Sequence, residues 1–157
     1  IVMDSDSTDG TKVELEKLKA EINSDFFRPQ CKSITFNYYS APDHGMYDAL
    51  AQAFSKAQGD IIGYINASDF YLPGALAAIT DTLNHHPHIH WLTGWNTWAT
   101  ETGTIYNNQM PFGYHRKLIT SYCFNGKTFP HIQQESTFCH ADYRRKSCNI
   151  DAQGWVA

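Results

Sequence analysis

The chain has 157 residues, of which 42% are apolar and 14% aromatic, and its formal net charge is −4. This apolar content suffices for one ordinary hydrophobic core, so we expect a single domain over residues 1–157. The negative net charge argues against a nucleic-acid partner, because phosphate backbones normally meet a net basic face. No apolar run approaches the roughly 20 residues of a membrane span, and the cysteines lack C-x-x-C spacing. We therefore expect a soluble, cytoplasmic protein with reduced thiols.

The first third of the chain predicts two strands separated by a helix. Residues 1–3 read as an apolar strand end that runs into a polar loop carrying Asp4. Thr11 and Glu14 have the spacing of a capping box, which predicts that a helix begins there. A second strand is predicted over residues 33–38, directly before the loop that contains Asp43.

The central segment contains a strong helix pattern. Apolar residues recur there at helical spacing, and they are Met46, Ala49, Leu50, Ala53, Phe54 and Ala57. This spacing predicts a helix packed by one face, and Gly59 follows it as a helix stop. Residues 61–65 are almost wholly apolar, which is typical of a parallel strand covered on both faces. Because ligands bind outside the carboxyl ends of such strands, residues 66–69 are candidate site residues.

A third helix and two more strands complete the pattern. Pro73 is at a plausible first helical position. The inward face of that helix is formed by Leu76, Ile79 and Leu83. Strands are predicted near residues 90–95 and 104–107. The order βαβαβαβ predicts an α/β fold with a mostly parallel sheet and helices on both faces.

Four segments match the motifs of one enzyme family in the expected order. Residues 1–11 read I-V-M-D-S-D-S-T-D-G-T. The corresponding family motif is V-x-D-x-x-S-T-D-G-T. Residues 40–50 are similar to S-E-x-D-x-G-M-Y-D-A-L, and residues 59–71 to G-D-x-I-x-x-L-N-x-D-D, which carries an acidic metal-binding motif. Residues 132–145 are similar to I-Q-Q-E-S-x-F-W-R-R. The chain thus resembles bacterial family 2 glycosyltransferases, the inverting enzymes with the Rossmann-like GT-A fold.

The resemblance implies a nucleotide-diphosphate-sugar donor bound at the carboxyl ends of the strands. It implies donor contacts from Asp4, Asp43 and Asn66, and it aligns Asp69 with the family's metal ligand. Oxygen ligands beside waters and phosphates suit Mg²⁺ or Mn²⁺. The implied activity is metal-assisted transfer of a sugar to a glycan or lipid-linked acceptor, as in polysaccharide biosynthesis.

Three positions depart from the family pattern. Ser68 leaves Asp69 as the single carboxylate of the metal motif, which weakens metal affinity in the absence of donor. Ala41 stands where the family usually has Glu. Trp95 follows Gly94 where an acidic residue is common, so the acceptor-side contacts differ from the usual ones.

The same motif alignment places parts of the family fold outside the sequence. The chain is expected to begin inside the second strand, and the aspartate that acts as catalytic base is expected beyond Ala157. Glu135 is the candidate for a catalytic, acceptor-side role, and its structural alternative is to shape the start of a following helix. We therefore expect little sugar transfer from these 157 residues alone.

A second function class stays open beside the enzyme. A degenerate or truncated domain would bind nucleotide or another protein without chemistry. Peripheral membrane association of the parent protein and homo-oligomers formed through an exposed sheet edge also stay open.

Overall fold

The computed structural model describes residues 1–111 and 113–142. Within them the chain divides into two compact units, one comprising Ile1–Gln58 and the other beginning at Gly59. Each unit contains both helices and strands, so the predicted α/β class is confirmed. In this described part of the chain, the helices are too short or too polar to cross a membrane.

The first unit combines two short parallel strands with two helices. β1 (Val2–Asp4) is followed by α1 (Thr11–Ile22), and β2 (Tyr38–Ser40) then pairs in parallel with β1. α2 (Met46–Lys56) follows β2 and packs against β1. The predicted helix at this position is therefore present, although its apolar face is only partly buried. Since the two strands are parallel, their carboxyl ends meet at one edge.

α1 begins differently from the prediction. Gly10 precedes the helix with a φ of 97°, a left-handed conformation that glycine adopts without steric cost. Thr11 is therefore the first helical residue, and its Oγ1 donates to Asp9 Oδ1 at 2.6 Å. The prediction of a capping box at Thr11 and Glu14 was wrong, because the left-handed glycine already ends the loop and Asp9 supplies the local acceptor.

The second unit contains the remaining described elements. These are β3 (Ile61–Gly63), α3 (Ala75–His85), β4 (Trp91–Thr93), β5 (Asn96–Ala99), β6 (Ile105–Gln109), α4 (Arg116–Thr120) and β7 (Thr137–His140). β5 and β6 form an antiparallel hairpin. β3, β7 and β4 form a separate sheet in that spatial order. α3 begins at Ala75, after a left-handed Gly74, rather than at Pro73.

β7 corrects the prediction of a mostly parallel sheet. It lies between β3 and β4 and runs antiparallel to both. β3 and β4 are therefore parallel to each other, as their βαβ sequence pattern predicted, but they do not pair directly. Among the described strand pairs, only β1 with β2 is parallel. The prediction was wrong because residues 137–140 were not recognised as a strand, and this strand fills the space between two parallel neighbours.

The most deeply buried apolar residues of the described chain lie in the second unit. They are Ile62, Leu83, Phe138 and Ala141. Leu83 is only 1% exposed, which confirms its predicted place on the inward face of α3. Phe138 lies opposite Gly63 across the β3–β7 pair, and its ring covers this glycine so closely that a Cβ there would lie 2.5 Å from two ring carbons.

Candidate functional site

Asp4 is a nearly buried carboxylate at the carboxyl edge of the first unit. It is the last residue of β1 and only 8% exposed. Its Oδ2 accepts hydrogen bonds from Ser40 Oγ at 2.5 Å and from the Ser7 N–H at 3.2 Å. These hydrogen bonds, that of Ser40 first, hold the pKa of Asp4 below its ordinary value of 3.8. Asp4 is therefore an ionised and oriented acceptor at the strand ends.

Asp43 shapes the loop that leads into α2. Its Oδ1 accepts the Gly45 N–H at 2.9 Å, which closes an Asx turn. In the first turn of the helix, Asp48 accepts the His44 N–H at 3.0 Å, and this hydrogen bond lowers the pKa of Asp48. Asp43 thus has a structural role through Oδ1, and its carboxylate keeps lone pairs for a ligand.

The three-stranded sheet brings Asn66 and Glu135 into contact. The antiparallel register ends with Gly63 opposite Phe138, and Glu135 follows in a turn in which the Thr137 N–H donates to the Gln134 carbonyl oxygen. Asn66 and Glu135 both lie beyond the regular strands, yet Asn66 Nδ2 donates to Glu135 Oε1 at 2.6 Å. The contact therefore links the loop after β3 to the turn before β7 through side chains.

A second amide orients the other oxygen of Glu135. Gln133 Nε2 donates to Glu135 Oε2 at 2.5 Å. Gln133 in turn accepts through its Oε1 from Asn96 Nδ2 at 3.4 Å. A carboxylate has about four lone-pair positions, so each oxygen of Glu135 keeps capacity for a ligand hydroxyl. The two amides fix the orientation of the carboxylate and therefore the direction from which a ligand hydroxyl can donate to it.

A cleft of about 500 Å³ lies beside this network, within the second unit. Its polar lining includes Asp69, Asn96, Gln133 and Glu135, and its aromatic lining includes Phe70, Tyr71, Trp95 and Trp98. Asp69 is exposed, and its backbone N–H donates to the Asn66 carbonyl oxygen at 3.1 Å. The volume and the mixture of apolar walls with a few polar groups are typical of small-ligand sites.

Tyr71 connects the cleft to the core. Its ring centroid lies 5.3 Å from that of Phe138. Burial, and secondarily the negative charge of Glu135, raises the pKa of Tyr71 above its ordinary value of 10.0. The phenol is therefore neutral at physiological pH and can donate or accept a hydrogen bond in the cleft.

The described residues hold no cluster of three or more His, Cys, Asp or Glu side chains that could bind a metal ion. Asp69 is instead a single carboxylate on an open cleft. Mg²⁺ is commonly held by one or two carboxylates together with waters and substrate phosphates. Asp69 fits that arrangement and does not fit a site built from protein ligands alone.

The structure brings some of the candidate residues together and leaves others apart. Asn66 contacts Glu135, and Asp69 lies on the same cleft as Glu135. Asp4 and Asp43 lie in the first unit, where they have different hydrogen-bond partners.

Two supporting residues were missed by the sequence analysis. Ser40 holds Asp4, and Gln133 holds Glu135. The second carried a usable signal, because Gln133 is separated from Glu135 by one residue in the same motif. The first had no local signal, since Ser40 meets Asp4 only when the two strands pair.

Comparison with known families gives one match. A family model described as "Glycosyl transferase family 2" matches residues 1–147. A comparison with curated proteins found no match. The matched range covers most of the chain and includes all the candidate residues described above.

Proposed function

Because this chain belongs to glycosyl transferase family 2, we propose that it forms part of an inverting enzyme that transfers a sugar from a nucleotide-diphosphate donor to a glycan or lipid-linked acceptor. Family membership supports glycosyltransferase activity in general, and the mixed α/β fold is consistent with a GT-A domain. The nucleotide-sugar donor, the acceptor, the help of a metal ion and the inversion at the anomeric carbon are what we propose beyond family membership.

One observation carries this function. Two carboxylates of different character, Asp69 and Glu135, line a single cleft at the carboxyl ends of β3 and β4. Asp69 is exposed and suited to a cation, whereas Glu135 is oriented by two amides and suited to hydroxyl groups. A sugar transfer site needs both kinds of group, one near the diphosphate and one near the sugar hydroxyls.

We assign Asp69 to the divalent ion, Mg²⁺ or Mn²⁺. When bound, such an ion stabilises the negative charge that develops on the leaving diphosphate. The contribution of the protein is to present one carboxylate at the mouth of the cleft and to leave the remaining coordination to the donor.

We assign Glu135 to the acceptor side and Asn66 to the support of Glu135. An acceptor hydroxyl that donates to Glu135 would be held in a fixed direction, because both carboxylate oxygens are already oriented by Asn66 and Gln133. Glu135 takes one Nδ2 hydrogen of Asn66, so the donor contact expected for Asn66 would use its second Nδ2 hydrogen or its Oδ1.

We assign Asp4 to nucleoside recognition within the first unit. It is an ionised acceptor fixed by Ser40 and Ser7, which suits the hydroxyl or N–H donors of a nucleoside. Asp43 is a second candidate for the same role, with one of its oxygens closing the turn before α2.

Calorimetric titration of UDP, GDP and dTDP tests the metal assignment. We expect binding of at least one nucleotide with Mg²⁺ or Mn²⁺ present and loss of that binding in EDTA. Asp69→Asn should weaken metal-dependent binding about tenfold or more. Asp81→Asn is the matched control, since it removes the same charge from an exposed position of α3 outside the cleft.

Metal-independent binding that Asp69→Asn leaves unchanged would contradict the assignment. The non-catalytic alternative is separated by a second measurement on the same samples. Release of nucleoside diphosphate from a panel of nucleotide sugars, with glycan acceptors present, would exclude a purely binding module, whereas no release is also expected of these 157 residues alone under the enzyme hypothesis.

A further inference from the structure

Trp95 and Glu135 line the same cleft of the second unit. The antiparallel register of β4 and β7 continues past the regular strands, because the Gly94 N–H donates to the Ser136 carbonyl oxygen at 2.8 Å. Beyond this pair the ladder ends, because Glu135 lies in a turn in which the Thr137 N–H donates to the Gln134 carbonyl oxygen at 3.0 Å. From this turn Glu135 meets Asn66. The cleft lining thus includes a carboxylate held by an amide, together with an indole.

The indole of Trp95 is largely exposed. Trp95 lines the cleft but remains 59% exposed, and Phe70 on the same cleft is 57% exposed. Large aromatic rings left open at a concave surface are typical of binding sites, because their apolar faces gain free energy when a ligand covers them. Because polar groups lie beside these rings, the cleft does not suit a purely apolar ligand.

We propose that this part of the cleft binds a pyranose ring of the acceptor, with its C–H face against Trp95 and a hydroxyl donating to Glu135. A pyranose has an apolar face of C–H groups and a rim of hydroxyls, and the lining of the cleft offers an indole for the first and a carboxylate for the second. The inference rests on the proposed function and goes further, because it makes Trp95 a specificity residue and makes the recognised part of the acceptor a sugar rather than a lipid chain.

The chemistry of the neighbours favours a sugar over an alkyl chain. Glu135, Gln133 and Asn96 are linked by hydrogen bonds along one side of the cleft. An alkyl chain seated there would cover the remaining lone pairs of Glu135 without replacing their hydrogen bonds to water, which is unfavourable. A sugar hydroxyl, by contrast, replaces the hydrogen bonds that Glu135 makes with water.

Ligand-observed NMR titration with simple glycosides tests the proposal. The probes are the methyl β-glycosides of glucose, galactose and N-acetylglucosamine, with octanol as the apolar probe. We expect binding of at least one glycoside, weakened about tenfold by Trp95→Ala and largely kept by Trp95→Phe. Tyr106→Ala is the control, because Tyr106 is a 67% exposed aromatic residue of β6 that does not line the cleft.

The outcomes separate this inference from the proposed function. Nucleotide binding measured on the same variants should be unchanged by Trp95→Ala. If nucleotide binds but no glycoside does, or if Trp95→Ala and Tyr106→Ala give equal affinities, the sugar subsite is refuted while the proposed function stands. If the glycoside shows the expected pattern without nucleotide binding, the subsite stands and the donor assignment fails. Octanol binding that depends on Trp95, with no glycoside binding, would identify a lipid site and overturn the proposal.

Discussion

Gly63→Ala should destabilise the second unit, because the ring of Phe138 occupies the space that a methyl group needs. Gly63 is the last residue of β3 and pairs with Phe138 of β7. Phe138 is itself buried and packs against Tyr71, so its ring has little room to turn away.

The size of the effect follows from the distances. An added Cβ would lie 2.5 Å from both Cδ1 and Cε1 of Phe138, whereas carbon atoms in contact are about 3.5–4.0 Å apart. The ring or the strand must therefore move by about 1 Å, and overpacking of this kind typically costs about 1–3 kcal/mol. For a chain of this length the melting temperature should fall by roughly 2–12 °C.

Thermal unfolding followed by circular dichroism measures the effect, with Gly94→Ala as the matched control. A Cβ on Gly94 would lie 3.8 Å from its nearest neighbour, the Ser136 carbonyl oxygen, which is ordinary contact. Both substitutions reduce the freedom of the unfolded chain alike, so their difference reports the clash. Adding Phe138→Leu should make the cost of Gly63→Ala smaller than in the native background. Equal melting temperatures for the two alanine variants would refute the reasoning.

Three further outcomes are expected. Leu83→Ala should lower the free energy of unfolding by about 2–5 kcal/mol in urea titrations, because it leaves a cavity at a side chain that is only 1% exposed; a change within experimental error would contradict this burial. Ser40→Ala should raise the pKa of Asp4 towards 3.8 in carboxyl NMR titrations, since the Ser40 hydroxyl is the largest cause of its lowering. The depressed pKa means that Asp4 stabilises the fold above pH 3.8 and that this contribution disappears as the pH falls through the lowered value. Glu135→Gln should lower the pKa of Tyr71 in ultraviolet titrations by removing a nearby negative charge, and an unchanged value would place Glu135 further from the phenol.

Local sequence patterns predicted the elements whose contacts are periodic along the chain. The apolar spacing that begins at Met46 located α2, and Leu83 was correctly assigned to the inward face of α3. Both results depend only on side chains three or four residues apart, which share one face of a helix. Strand β3 was found because its apolar run is too short for a helix and has the length of a buried strand.

Such local patterns did not predict which distant segments pair with each other. β7 consists of Thr137–His140, and nothing within these four residues indicates that they lie between strands that are parallel to each other. The site shows the same limit. Asn66 and Glu135 were each selected as candidates, but they are 69 positions apart, and their contact forms only when β3 pairs with β7. Sequence reasoning therefore found these groups and not the geometry that joins them.

The position of β7 also has a consequence for biosynthesis. β3 and β4 leave the ribosome well before Thr137–His140, and in the meantime each has an open edge where β7 will later pair. Unpaired strand edges on a nascent chain are sites of wrong association with other chains. Insertion of β7 closes both edges in one step and at the same time carries Glu135 to its place beside Asn66. A chain interrupted before residue 137 would therefore be prone to aggregate and would also lack the strand that positions Glu135 and the Phe138 wall of the cleft, so protection from aggregation and competence for ligand binding arise together.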